Sequence, residues 1–126
     1  MAAKIRRSDE LLPLSPPVLY ILLALADGES HGYAIMQDVE RRTDGKVQLL
    51  PGSLYSTIKR MLAEDLIAER RPSRPRASDD ERRRYYGITK YGRQVAAAEL
   101  DRLATVLDYA KEKKVVPRPA PDITKR

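Results

Sequence analysis

Between Pro51 and Leu62 the chain sets Ser53, Ser56, Thr57, Lys59 and Arg60 within a few turns of one another. At about 100° per residue, Leu54, Ile58, Met61 and Leu62 share one side of a helix. Ser53, Ser56 and Arg60 fall opposite, with Thr57 and Lys59 flanking them. Small hydroxyl side chains let a helix backbone come close to a major groove, and an arginine there can bond the O6 and N7 edge of guanine. The same pattern also fits an ordinary surface helix, so its neighbours must decide. They include a second basic cluster: Arg70, Arg71, Arg74, Arg76, Arg82, Arg83 and Arg84 oppose only Asp79, Asp80 and Glu81, a net +4 over residues 70–84.

Composition narrows the chemistry further. The chain has 126 residues, enough for one domain with a real core and too few for two. Lys and Arg number 24 against 18 Asp and Glu, net +6, which favours a polyanionic partner such as nucleic acid. There is no cysteine, which excludes disulfides, thiolate metal sites and cysteine nucleophiles. His31 is the only histidine and has no evident partner for catalysis or metal binding, so it is read as structural or near a phosphate. No enzymatic activity, cofactor or metal is expected. The longest apolar run, Val18 to Ala26, is nine residues, about half of what a membrane span needs. The N-terminus is basic but leads into acids and prolines, unlike a signal peptide. A cytoplasmic protein is expected, with no membrane partner.

These side chains need elements to position them. Residues 1–13, with Lys4, Arg6 and Arg7, read as a flexible basic arm. Ser15-Pro16-Pro17 opens a first helix through Leu19, Leu22, Leu23 and Ala26, expected to be the most buried, with a stop at Asp27-Gly28. Ser30 is expected to cap a second helix, about 31–43, with Tyr33, Met36 and Val39 inward and a stop at Asp44-Gly45. The polar-faced helix follows at about 52–64. Residues 66–71 and 83–89 then read as two strands of a basic hairpin around the loop 72–82. Thr89 caps a last helix, about 90–113, on the order of 36 Å long. In it Ala96, Leu100, Leu103, Leu107 and Ala110 recur at heptad spacing, widened by Val95 and Val106. Residues 114–126 read as a flexible tail. The predicted class is mainly α with a small β-hairpin: a winged helix-turn-helix over 14–89 and a dimerisation helix over 90–113.

Four segments carry a resemblance: His31-Gly32-Tyr33, Pro51-Gly52-Ser53-Leu54-Tyr55, Leu62-Ala63-Glu64-Asp65-Leu66-Ile67, and Arg84-Tyr85-Tyr86-Gly87-Ile88-Thr89-Lys90-Tyr91-Gly92. In that order, over residues 14–110, the chain resembles the PadR family of bacterial regulators, in its short subgroup with one C-terminal helix. The resemblance implies a homodimer built through that helix, binding a palindromic operator and usually repressing transcription. It departs from the family in having Ser53 and Ser56 where Thr and Pro commonly flank Leu-Tyr. Some short members are similar to multidrug sensors that sandwich flat ligands between tryptophans, a mode this tryptophan-free chain does not share.

The expected reading is a homodimeric, sequence-specific DNA-binding repressor released by an unknown signal. Ser53, Tyr55, Ser56, Thr57, Lys59, Arg60, Arg70, Arg71, Arg74, Arg76 and Arg83 would meet DNA. For Tyr55, a phosphate contact and a place at the core rim are equally open. Of Tyr85 and Tyr86, one ring should pack on the third helix. Leu100, Leu103, Leu107 and Ala110 would form the dimer seam, together with the first helix. A small-molecule inducer would act there, with Tyr20, Tyr91 and Tyr109 as candidate wall. Gly32 and Gly92 are expected to allow close packing. Two rivals remain at this stage: a non-specific nucleoid- or RNA-binding protein, and a winged-helix adaptor whose arginines meet an acidic protein.

Overall fold

The computed structural model describes residues 11–71 and 84–116. The elements in chain order are α1 (Pro16–Ala24), β1 (Ser30–His31), α2 (Gly32–Arg42), α3 (Pro51–Ala63), β2 (Ile67–Arg70), β3 (Tyr85–Ile88) and α4 (Lys90–Glu112). The architecture is mainly helical with a small antiparallel sheet, as the periodicities imply. The sheet has three strands, in the order β1-β3-β2, where the sequence suggested a two-stranded hairpin. The added strand pairs Ser30 with Tyr86 and His31 with Tyr85. Across the hairpin, Ile67 pairs with Ile88 and Arg70 with Tyr85. The loop between these strands, with Arg74, Arg76 and Arg83, lies outside the described residues, as do the basic arm with Lys4, Arg6 and Arg7 and the end of the tail.

One core joins the helices to the sheet. Ile21, Leu22 and Leu25 of the α1 region, Ile35 of α2, Leu54, Ile58 and Met61 of α3, Leu66, Ile67 and Val95 are all essentially withdrawn from water. Each such aliphatic side chain contributes about 1.5–3 kcal/mol of burial. The inward face of α2 differs from expectation. Gly32, Ile35 and Val39 are buried, Met36 is only partly so, and Tyr33 points out, 56% exposed. On α1, Leu23 is likewise exposed, because Val18, Ile21 and Leu22 set the inward stripe.

Local chemistry fixes where the helices end. Prolines occupy the first turns of α1 and α3, where a missing N–H costs nothing. The cap of α2 is His31 rather than Ser30: its Nδ1 accepts from the Ala34 N–H at 3.2 Å. In the α2–α3 turn, the Thr43 hydroxyl donates to the Val39 carbonyl at 2.9 Å and accepts from the Val47 N–H at 3.0 Å. At the end of α3, Asp65 adopts φ 62°. The Leu66 N–H reaches back to the Met61 carbonyl at 3.0 Å and that of Asp65 to Leu62 at 3.2 Å, a Schellman closure that turns the chain into β2. The start of α4 docks on this turn. Thr89 caps the helix, its Oγ1 accepting from the Gly92 N–H at 2.9 Å and lying 2.7 Å from the Asp65 carbonyl. Arg93 ties α4 to the end of α1 by donating to the Ala26 carbonyl at 2.6 Å.

Candidate nucleic-acid interface

Burial of Leu54, Ile58 and Met61 fixes how α3 sits on the body. Its opposite face, carrying Ser53, Ser56, Lys59 and Arg60, is therefore exposed, with Thr57 half-buried at its edge. The two serine hydroxyls donate to carbonyls of their own helix, Ser53 to Leu50 at 3.2 Å and Ser56 to Ser53 at 3.1 Å. With their protons engaged within the helix, the two hydroxyl oxygens can still accept. Lys59 and Arg60 form no ion pair among the described residues, so both charges stand free on this face.

Tyr55 flanks the same helix, half exposed, on the side of the α2 N-terminus. A Cβ at Gly32 would lie 2.5 Å from the Tyr55 hydroxyl and 2.8 Å from its ring carbons, so glycine is what lets this ring lie against α2. The adjoining His31 ring meets Tyr85 edge-on, 5.4 Å between centroids at 88°. Tyr86 is the ring that goes inside, and burial pushes its hydroxyl above the usual tyrosine value, with Glu69 adding to the shift. Tyr33 and Tyr55 thus bring two exposed phenols to the start of α2 and the side of α3. Tyr33 was missed because apolar periodicity alone cannot choose between it and Ile35 as the inward residue.

The hairpin arginines divide into different roles. The Arg70 stem lies over Gly87, where a Cβ would stand 2.9 Å from its Cγ, so its methylenes pack on the sheet while its head is exposed. Arg71 is exposed as well. Arg84, itself exposed, pairs with Glu69 across the strands at 2.9 Å.

The seam on α4 divides at Glu99. Gly92, Val95, Ala96 and Glu99 are buried against the body, whereas residues 100–109 are all exposed and Ala110 half so. Leu100, Leu103 and Leu107 stand about 40% exposed (42%, 39% and 40%), with Val106 beside them. The three tyrosines considered for a ligand wall stand in different surroundings. Tyr20 lines a groove of about 480 Å³ between α1 and α2, with Leu23, Asp27, Asp38 and Arg42. Tyr91 is partly buried, its hydroxyl enclosed and without a hydrogen-bond partner. Tyr109 is exposed on the projecting part of α4, roughly 27 Å along the helix from Tyr91 at 1.5 Å per residue. Among the described residues no cluster of three or more His, Asp or Glu could hold a metal, and no helix is long and apolar enough to cross a membrane.

Three helices, a hairpin after the third and a long helix behind them make a winged helix-turn-helix, the fold of a transcription regulator. A profile of the Transcriptional regulator PadR-like family matches residues 21–98, more than half of the chain. The chain belongs to this PadR-like family. It is similar to a 37.1 kDa protein in transposon TN4556 of Streptomyces fradiae, with 35% identity over 86 residues. That match covers 68% of this chain but only 22% of the longer relative. Among solved structures it is similar to a transcriptional regulator from Clostridium thermocellum Cth-833, with TM-score 0.65, 22% identity, and 86% and 97% of the two chains covered. It is also similar to a PadR family transcription regulator from Clostridium difficile R20291, with TM-score 0.64, 20% identity, and 78% and 97% covered. Regulators of this family are non-enzymatic transcription factors.

Proposed function

We propose that this regulator is a homodimeric repressor that reads a palindromic operator. The observation that carries the reading is the exposed face of α3, where small hydroxyls and two unpaired cations stand opposite a fully buried apolar stripe. Ser53, Ser56, Thr57, Lys59 and Arg60 meet base edges and nearby phosphates, while Tyr55, Arg70 and Arg71 hold the backbone. Arg74, Arg76 and Arg83 extend that backbone contact from the wing loop. In this reading residues 14–89 form the DNA-binding unit, 90–113 the dimerisation helix, and 1–13 and 114–126 the flanking arm and tail. Support for the dimer comes from Leu100, Leu103 and Leu107, which the protomer leaves in water. Because the half-sites are read together, a signal that shifts α4 changes repression by changing the separation of two α3 helices.

The test is a selection on random duplexes at two salt concentrations, with sedimentation of the same preparation. A symmetric enriched sequence bound by a dimer is expected. Equal retention of all duplexes, or binding by a monomer alone, would sink the reading in favour of sequence-blind binding.

A further inference from the structure

The hydroxyl end of Tyr55 crosses from α3 to the first turn of α2. A Cβ at Gly32 would stand 2.5 Å from that hydroxyl and 2.8 Å from the nearest ring carbons, so the phenol reaches the glycine backbone itself. On α3, Tyr55 is four residues from Lys59 and therefore its neighbour on the helix surface, at the edge of the exposed polar face. The surface carried by Ser53, Ser56 and Lys59 thus continues across Tyr55 onto α2 instead of ending at the flank of α3.

Tyr33 stands at that crossing. One flank of α2 faces α1 across the groove lined by Tyr20, Asp27, Asp38 and Arg42. At about 100° per residue, Tyr33 lies roughly 180° round α2 from Arg42, on the flank away from α1. Tyr33 and Tyr55 are each about half in water (56% and 50%), and neither hydroxyl has a hydrogen-bond partner among the described residues. Charge on this surface has one sign. The first turns of α2 and α3 hold no carboxylate, and the nearby Lys59 forms no ion pair among the described residues. Within the protomer the tasks of this turn fall to other residues: Gly32, Ile35 and Val39 face the core, and His31 supplies the cap. An exposed tyrosine suits the sugar–phosphate backbone of DNA, where the ring covers apolar sugar and the hydroxyl donates to a phosphate oxygen.

We infer that Tyr33 is a further DNA-contacting residue: beside Tyr55, it donates to a phosphate of the strand bordering the groove that α3 enters, and so helps to set the register of that helix. The inference rests on the DNA reading proposed above, and it adds the start of α2 to an interface otherwise assigned to α3 and the wing. The contact is blind to sequence and carries no charge, which separates it from the contacts of Arg60 and of the wing arginines.

Tyr33→Phe removes one oxygen from an exposed position, so its unfolding midpoint should match the wild type. It should bind both a duplex enriched in the selection and a random duplex on the order of tenfold more weakly. Because a phenol neutralises no phosphate, the slope of log affinity against log salt should stay at the wild-type value. Tyr33→Ala should lose more, since the ring goes too. Duplexes with one methylphosphonate linkage at a time locate the contact: at one position the neutral linkage should weaken the wild type and leave Tyr33→Phe no weaker than before. Equal affinity of wild type and Tyr33→Phe, with Lys59→Ala weakened, would overturn the inference and leave reading by α3 standing. A loss in Tyr33→Ala alone, or one that no single linkage reproduces, would overturn the phosphate contact as well. A wild type that binds no duplex would overturn both readings together.

Discussion

Gly32 and Gly92 each bring a backbone close against a neighbour, and the neighbours differ in kind. A methyl at Gly92 would run into the Leu66 carbonyl, rigid backbone already engaged by Thr89. A methyl at Gly32 would run into the outer ring of Tyr55, a side chain that can swing away. Gly92→Ala should therefore cost about 3 kcal/mol or more in denaturant unfolding, and Gly32→Ala only about 1 kcal/mol. The Gly32 variant should weaken duplex binding out of proportion to that loss if Tyr55 holds a phosphate; equal stability losses at both sites would contradict the contrast. Glu99 yields a second residue-scale test. Its carboxyl is held below its ordinary value of 4.5, chiefly by Arg102, so the folded state prefers it ionised. A depressed folded value means that the stabilisation is fully present above pH about 4.5 and is lost as pH falls through the folded value. The stability difference between wild type and Glu99→Gln should be flat towards neutral pH and shrink in acid. A difference that grows on acidification would show that the assigned direction is wrong. Nothing in the sequence marks Glu99 as buried, since a glutamate beside Ala98 and Leu100 reads as a solvent residue. Its cover comes from the body against which this turn of α4 packs and from its own helix neighbour Arg102, three residues on.

At the scale of elements, those with long period were legible and the shortest was not. Helix α3 and helix α4 declare themselves through repeated apolar spacing and, for α4, a threonine cap that forms as expected. Strand β1 has two residues and so no period, and its partners Tyr85 and Tyr86 lie far along the chain. The inward face of α2 misled for a related reason. Tyrosine, isoleucine and methionine in its first turns count alike as apolar, and Gly32, pressed against Tyr55, sets the rotation instead. The candidate interface was legible on α3, because burying Leu54, Ile58 and Met61 forces the polar face outward. The cross-strand pairing of Arg84 with Glu69, on the exposed surface of the hairpin, depends on a strand register that the sequence does not show. The division between reading helix and wing can be measured. Arg60→Ala should cost about 1–3 kcal/mol on the preferred duplex if it bonds a guanine edge, and little on random DNA. Arg74→Ala or Arg76→Ala should weaken all duplexes and lower the salt slope by about 0.9 for each phosphate that is no longer neutralised. Parallel losses on specific and random DNA in all three variants would refute that division.

For the molecule as a whole, one question is how the winged body and the projecting helix divide the energy of binding. The body keeps its core without the outer part of α4, since the buried residues of that helix end at Glu99. The outer part has nothing of its own to bury Leu100, Leu103 and Leu107, and a helix of that length is marginal in water unless packed. Pairing two copies through it would cover the leucines and make the second half-site an intramolecular partner, worth about 10²–10⁴ in affinity with the same DNA-facing residues. Glutamates at Leu103 and Leu107 put charges into that seam, where separation is the cheapest relief. The double variant should sediment as a monomer, keep the cooperative unfolding of its body, and bind a single half-site about as well as the wild type. On the full palindrome it should fall by about 100-fold or more, because the avidity is gone. An equal fall on the isolated half-site would mean that the substitutions damage the body itself. A wild type already monomeric at micromolar concentration would mean that the seam serves something other than a second copy of this chain.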